Sequence, residues 1–454
     1  MTANDANSLQ TATIDDLVRI AVFSSDAAEK AEARRQIHLR ARRNGAIPSS
    51  IHPLYQALGR GEVTRQFTVP AFNIRALTYD VCRALFRAAM RHDVGPFVFE
   101  IARSEIGYTE QRPGEYAACV LAAAVAEGYR GPVFIQGDHF QASAKKWATE
   151  EGKASEIKAL ESLIDEAIAA EFFNIDIDTS TLVDLSFPTR DEQQRTNYTY
   201  TAHFTKHIRE RQPKGIEISI GGEIGEVGKY NTQPDEVRAY IDGVKRALGG
   251  DPGMAKISVQ TGTSHGGVPM ADGSIAEAKI DFDVLRETTA ICRNEYGIAG
   301  SVQHGASTLP EEVFNRFPES DAVEIHLATG FQNMILDAPS FPAEMKSEIR
   351  EFCFANCMDE RKDGETDEQF VYKTRKKALG PFKQRMWDMD PAAKAAIIET
   401  MEAKFEFLLD KLAVYGTRDL VEKYIPATAA DLPEYQAASE ELTAAATVDP
   451  NEGE

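Results

Sequence analysis

From Thr68 onward the chain repeats one pattern: a short run of β-branched and aromatic residues gives way to a longer stretch whose apolar positions recur at helical spacing. The extended runs are TVPAFN (68–73), PFVFEIA (96–102), PVFIQGDH (132–139), FNIDID (173–178), GIEISIGGE (215–223), AKISVQTG (255–262), GSVQHG (300–305) and DAVEIHLAT (321–329). Between them lie helix-like segments such as YDVCRALFRAAMRH, EIKALESLIDEAIAAEF and DFDVLRETTAICRNEYG. Strands that alternate with helices pair in parallel, because each helix carries the chain back across the sheet. Eight such units over 67–335 fit a closed (β/α)8 TIM barrel better than an open doubly wound sheet.

The flanks read differently. Residues 1–66 are polar and Ala/Arg-rich with little strand character, which predicts an N-terminal helical extension. Residues 336–425 turn helical, ending in the amphipathic AAKAAIIETMEAKFEFLLDKLAVYG, and 426–454, rich in Ala, Glu and Pro, predict a poorly ordered tail. Helical additions to a barrel cover its ends or form subunit contacts, so a homo-oligomer is expected.

Composition narrows the partners. A formal net charge of −21 over 454 residues argues against nucleic acid, whose phosphates are gripped by clustered Lys and Arg. Hydrophobic content of 43% and charged content of 27% are those of an ordinary globular protein. The five cysteines suggest no even disulfide framework, the N-terminus lacks the pattern of a secretory signal, and no apolar run is long enough to span a membrane. A soluble, cytoplasmic protein with no membrane partner is expected.

The run PVFIQGDHF raises a chemical question, since Asp138 and His139 are both costly to desolvate at the end of a buried strand. A parallel barrel gathers its chemistry at the C-terminal edge of its strands. His139, His265, His304 and His326 fall at or just past the ends of the third, sixth, seventh and eighth strands, whereas the other five histidines lie in helical or linker context. Asp138, Asp176, Asp178 and Glu223 join them. Imidazoles converging with a carboxylate can hold a catalytic divalent ion, zinc most readily. His203 and His207 have helical spacing but no adjacent Glu, and are expected on a solvated face. Glycine-rich turns follow the last three strands, so Gly266, Gly305, Ser307 and Thr329 are candidate donors to a phosphate.

These residues carry a resemblance. The third strand ending in GDHF, then GEIGEVG, TQPDEV, SHGGVP and QHGAST, resemble in order and spacing the class II, metal-dependent fructose-bisphosphate aldolases and their tagatose-bisphosphate relatives, over roughly Thr68 to Gly330. The resemblance implies that His139, His265 and His304 are zinc ligands. Glu223 would be a further ligand as the ion moves, and Asp138 the acid/base that starts carbon–carbon cleavage. It also puts Asn73 near the substrate and matches Asp178 and Ser180 to an acid followed by Ser. The implied chemistry is retro-aldol cleavage of a ketose phosphate through a zinc-stabilised enediolate.

The chain departs from the family in three places. The turn after the fifth strand is short and offers only Glu226 as a loop glutamate, and Arg385 is the nearest basic residue in FKQRMWDMD. Where the family reads Asn-x-Asp-Thr, this chain has His326, Leu327, Ala328 and Thr329. His326 could bond a substrate hydroxyl, supply a proton or join the metal shell. The expected function is a zinc-dependent aldolase that cleaves or forms a ketose phosphate, its expected partner being a small-molecule sugar or sugar phosphate. The alternatives are an aldolase or epimerase for an unphosphorylated or modified sugar, and a non-catalytic barrel subunit.

Overall fold

Each of the eight expected extended runs forms a strand, and a ninth precedes them. The computed structural model describes residues 9–225, 230–262, 280–307 and 309–426, with Leu432 and Tyr435. The strands are β1 (Ala46–Pro48), β2 (Val69–Asn73), β3 (Val98–Ala102), β4 (Gly131–Gln141), β5 (Asn174–Asp178), β6 (Ser219–Glu223), β7 (Lys256–Ser258), β8 (Ser301–Gln303) and β9 (Glu324–Leu327). β2 to β9 pair in parallel in chain order, and β2 also pairs with β9, which closes the ring into a (β/α)8 barrel. Nearly every strand residue is buried, because helices cover the outer face and side chains fill the inner one.

Alternation along β5 sorts the interior into layers. Asn174, Asp176 and Asp178 share its inner face at three heights. At the bottom, the Asn174 amide donates to Ser49 O (3.2 Å) and Ile135 O (3.0 Å) and accepts from Ile51 N (2.9 Å). In the middle, Asp176 accepts from the Lys256 ammonium at 2.8 Å. At the top, Asp178 accepts from Gln141 at 2.6 Å and from the Ser180 amide and hydroxyl at 2.9 and 2.7 Å.

The N-terminal extension contributes more than helices. Its helices Ile14–Phe23 and Ala27–Asn44 are followed by β1, which pairs in parallel with the start of β4, so this segment does hold strand structure. The next helix, His52–Gly59, brings Tyr55 under the barrel, where its buried hydroxyl donates to Glu324. At the other end of the chain, helix Pro391–Lys411 lays Phe405 edge-on against Phe72 of β2, with centroids 5.2 Å apart. The expected tail 426–454 lies outside the described residues except for Pro426, Leu432 and Tyr435.

One local expectation is corrected. His203 is exposed and bonded to Glu161, but His207 is buried, its ring Nε2 2.8 Å from Asp165. Among the described residues, no helix is long and apolar enough to cross a membrane.

Candidate active site

β4 ends irregularly, and this irregularity builds the site. Its register against β5 shifts between Gly137 and Phe140, and His139 has φ +40°, a left-handed value few non-glycine residues adopt. In a regular strand Asp138 and His139 would point to opposite faces. The bulge instead lets both line one pocket. Gly137 makes room for it, since a Cβ there would lie 2.4 Å from Cζ of the buried Phe140 ring.

At the C-terminal rim, His139 and His304 stack as tilted rings with centroids 4.2 Å apart, and His304 and His326 do the same at 4.2 Å. His139 Nδ1 lies 3.1 Å from Asp178 Oδ2 and 3.3 Å from Glu223 Oε2. His304 Nδ1 is 3.6 Å from Glu223 Oε1, and its Nε2 is 4.0 Å from Asp138 Oδ1. His326 Nδ1 lies 3.1 Å from Asp138 and 3.0 Å from Glu100, while Nε2 lies 2.7 Å from Glu324. Residues from β3, β4, β5, β6 and β9, with His304 just past β8, thus meet in overlapping groups at this rim.

The donor set suits a divalent cation. Asp138, His139 and His304 bring ligand atoms within 4.8 Å of one another, and so do His139, Asp178 and Glu223; all five residues are buried. The two groups share His139. Imidazole nitrogens with one or two carboxylates match zinc-type coordination, and a carboxylate on the far nitrogen, as Asp178 supplies to His139, orients such a ligand. His265 and Gly266 lie outside the described residues, as does Glu226.

The electrostatics agree with that demand for positive charge. Burial opposes a charge on His139, yet Asp138 and Glu223 outweigh it and hold its pKa well above the ordinary imidazole value. His326 is raised in the same way by Glu100 and Asp138 against its burial. Asp138 is held well below the carboxylate range, because the three surrounding imidazoles overcome its desolvation.

Beneath the rim lies a polar layer. The Lys256 ammonium donates to Gln136 and Asp176, at 2.8 Å each, and to Glu324. Gln136 in turn donates to Glu100 at 3.0 Å and to Glu324 at 3.1 Å. Burial and the charge of Asp138 push Glu100 up to about 7, and burial pushes Asp176 up to about 6 despite Lys256. Glu324 goes the other way: Lys256 and His326 overcome its burial and hold it well below the carboxylate range. Asp176 therefore belongs to this layer rather than to the rim.

The pocket above measures about 40 Å³, and its lining includes Asn73, Arg75, Gly305, Ser307 and Thr329. Asn73 donates its amide to Glu105 at 2.7 Å, and Gly305 adopts φ +66°. The Ser307 hydroxyl accepts from Gly330 N at 3.0 Å. Arg385 instead pairs with Glu348 and is not among the lining residues. Arg75, Glu100, Glu105, Lys256 and Glu324 were not singled out from sequence. The available signal was a charge embedded in an apolar strand: Glu100 in VFEIA, Lys256 in AKISV and Glu324 in AVEIH.

A family model described as fructose-bisphosphate aldolase class-II matches residues 60–410. None of the curated proteins compared gives a significant match. Among solved structures, the chain is similar to a fructuronate-tagaturonate epimerase, UxaE, from Cohnella laeviribosi, at 11% identity, 87% and 86% coverage of the two chains and a TM-score of 0.52. It also matches a probable tagatose 6 phosphate kinase from Sinorhizobium meliloti 1021 (16% identity, 84% and 97% coverage, TM-score 0.49). A putative fructose-1,6-biphosphate aldolase from Coccidioides immitis matches at 15% identity, 81% and 97% coverage and a TM-score of 0.46.

Proposed function

The chain belongs to the class II fructose-bisphosphate aldolase family, and from that premise we propose that it is a divalent-metal-dependent carbon–carbon lyase acting on an open-chain ketose or ketose phosphate. The supporting observation is the convergence of His139 and His304 with Asp138, Asp178 and Glu223 at one rim of the barrel. His139, His304 and Glu223 would hold the cation, with His265 as a third imidazole. When bound, the cation supplies Lewis-acid stabilisation of negative charge on substrate oxygens.

The chain's own groups do the rest. Asp178, itself held by Gln141 and Ser180, fixes the His139 ring through Nδ1. Asp138, at the rim beside the histidines, accepts the proton of the hydroxyl two carbons from the ketone. That oxygen becomes the aldehyde of one product, the electrons of the broken carbon–carbon bond pass to the ketone half, and that half takes up a proton. His326 holds the Asp138 carboxylate through its 3.1 Å contact. Most of the described residues that line the pocket are buried, which limits the bulk water that reaches the ketone half.

A second reading is favoured by the Asp138–His326 contact, which sets two proton-handling groups side by side. Epimerisation of an unphosphorylated or acidic ketose at the same hydroxyl-bearing carbon would run the cleavage both ways. The hydroxyl proton leaves, the carbon–carbon bond breaks, the aldehyde turns its other face, the bond re-forms and the proton is returned to the new alkoxide, with Asp138 and His326 handling that proton. The test is a cleavage and epimerisation screen of ketoses and their phosphates with zinc restored, run with and without EDTA. Asp138→Asn is expected to lower turnover by about 10²- to 10⁴-fold with metal content unchanged. Full activity in the variant, or activity indifferent to EDTA, defeats the reading.

A further inference from the structure

The layer beneath the rim is polar, whereas the interior of such a barrel is ordinarily filled by branched apolar side chains. Alternation puts Glu324 and His326 on the same face of β9, with Glu324 one step below. Glu324 meets four donors. The Tyr55 hydroxyl donates to Oε2, while Oε1 accepts from the Lys256 ammonium and, at 3.1 Å, from the Gln136 amide, and lies 2.7 Å from His326 Nε2. Despite its burial, this carboxylate is kept ionised by Lys256. It can then only accept, so Nε2 carries the proton of their contact. The other ring nitrogen, Nδ1, is turned to Asp138 Oδ1 at 3.1 Å.

Tyr55 comes from outside the ring of strands. It lies on helix His52–Gly59 of the N-terminal extension and is 0% exposed. A phenyl ring would close the barrel from below equally well, and a buried hydroxyl adds a desolvation cost unless it is bonded. Burial and the charge of Glu324 hold the Tyr55 hydroxyl well above the ordinary phenol range, so it stays a donor. Its acceptor is the very carboxylate that holds His326. Three contacts thus lead from the extension to the acid/base group: Tyr55 to Glu324, Glu324 to His326, and His326 to Asp138.

We propose that Tyr55 is a positioning residue: by holding Glu324 it sets the direction of the His326 ring and so the place of the Asp138 carboxylate, which gives the N-terminal extension a part in the active site. Among the described residues Tyr55 alone serves Glu324 Oε2, while Lys256, Gln136 and His326 share Oε1. Loss of the hydroxyl leaves Oε2 unbonded inside the barrel and lets the carboxylate turn about its soft terminal torsion. Any such turn moves the acceptor at Nε2, and with it the ring that steadies Asp138. An acid/base group acts only within hydrogen-bond reach of its proton, so a displacement on the order of 1 Å costs turnover rather than binding. The inference rests on the reaction proposed above only for this kinetic consequence.

The test has two arms, both on the full chain. In the first, the chain carries isotope-labelled histidine and is stripped of metal with EDTA, and the His326 Nε2 proton is identified by NMR as the signal lost in His326→Asn. Tyr55→Phe, which removes only the hydroxyl, is expected to shift that signal and to speed its exchange with water about 10-fold, with circular dichroism unchanged. In the second, zinc is restored and the sugars of the cleavage and epimerisation screen are turned over. Tyr55→Phe should lower kcat by about 10- to 100-fold with KM within about 2-fold of wild type. In the His326→Asn background the same change should cost less than about 2-fold, because the residue through which Tyr55 acts is gone. Glu324→Gln, which keeps the shape of the carboxylate, is read in the same way if Tyr55→Phe does not fold. The proposal is overturned if the Nε2 proton is unmoved, if Tyr55→Phe leaves kcat unchanged or raises KM alone, or if it costs as much with Asn at 326 as with His. A chain that turns over none of the sugars but shows the shifted, faster-exchanging proton sinks the proposed reaction and leaves the positioning contact standing.

Discussion

Replacing Lys256 by Met probes the layer beneath the rim. The ammonium is 1% exposed and serves Gln136, Asp176 and Glu324, so its loss leaves two carboxylates without their cation inside the barrel. Removing one partner of a buried ion pair costs about 3–5 kcal/mol, and that is the loss expected for Lys256→Met at pH 8. The loss should shrink at pH 5. In the wild type Glu324 has a depressed folded pKa, so its stabilisation is present above its unfolded value and is lost only as pH falls through the folded one. Removing the ammonium raises the folded pKa values of both carboxylates, so the variant's folded state holds protons that the wild type's does not, and its stability falls relative to the wild type as pH rises. The gap between the two proteins therefore widens from pH 5 to pH 8. Adding Glu324→Gln to Lys256→Met removes a stranded charge and should recover about 1–3 kcal/mol relative to the sum of the single changes. Urea unfolding of the metal-free proteins, followed by circular dichroism, measures all four states of the cycle. A Lys256→Met loss below about 1 kcal/mol at pH 8, or a double variant equal to the sum of the singles, would refute the reasoning.

Two further outcomes follow from the geometry. Gly137→Ala drives a Cβ to 2.4 Å from the Phe140 ring; it should cost about 1–3 kcal/mol in a thermal melt and weaken zinc binding in titration calorimetry, because the bulge that aims His139 must shift. Burial, with the charge of Arg75, pushes the Lys376 amine down to about 7 from an ordinary 10.5, so the unfolded chain binds more protons between those values and stability should rise with pH across that window. Lys376→Met should flatten this rise, which a series of melts from pH 7 to pH 10 would show; an unchanged slope counts against a buried, depressed amine.

The sequence carried the barrel because its strands are short β-branched runs separated by long helical stretches, a contrast that survives even in β7 and β8, each only three residues long. The rim was legible for a related reason. His139, His304 and His326 end strands, and alternation plus barrel closure suffices to bring strand ends together. Two things were not legible. The bulge at Asp138–His139 depends on a ring packing over Gly137, a contact between residues that no periodicity encodes. The inner layer was hidden because Glu100, Lys256 and Glu324 sit singly in apolar runs on three separate strands, and only the ring's register shows that they meet. Arg75 was not singled out for the same reason, since Glu105, Thr329 and Gln332 reach it from two helices far along the chain, Arg103–Tyr108 and Thr329–Leu336.

The central claim is that imidazoles far apart in sequence share one divalent cation. Elemental analysis of the purified chain, beside His139→Ala and His304→Ala, tests it most directly. The account predicts about one zinc-type ion per chain in the wild type, with its affinity lowered at least 10-fold in both variants. A metal-free chain that remains active in EDTA, or variants that keep their full complement of metal, would contradict it.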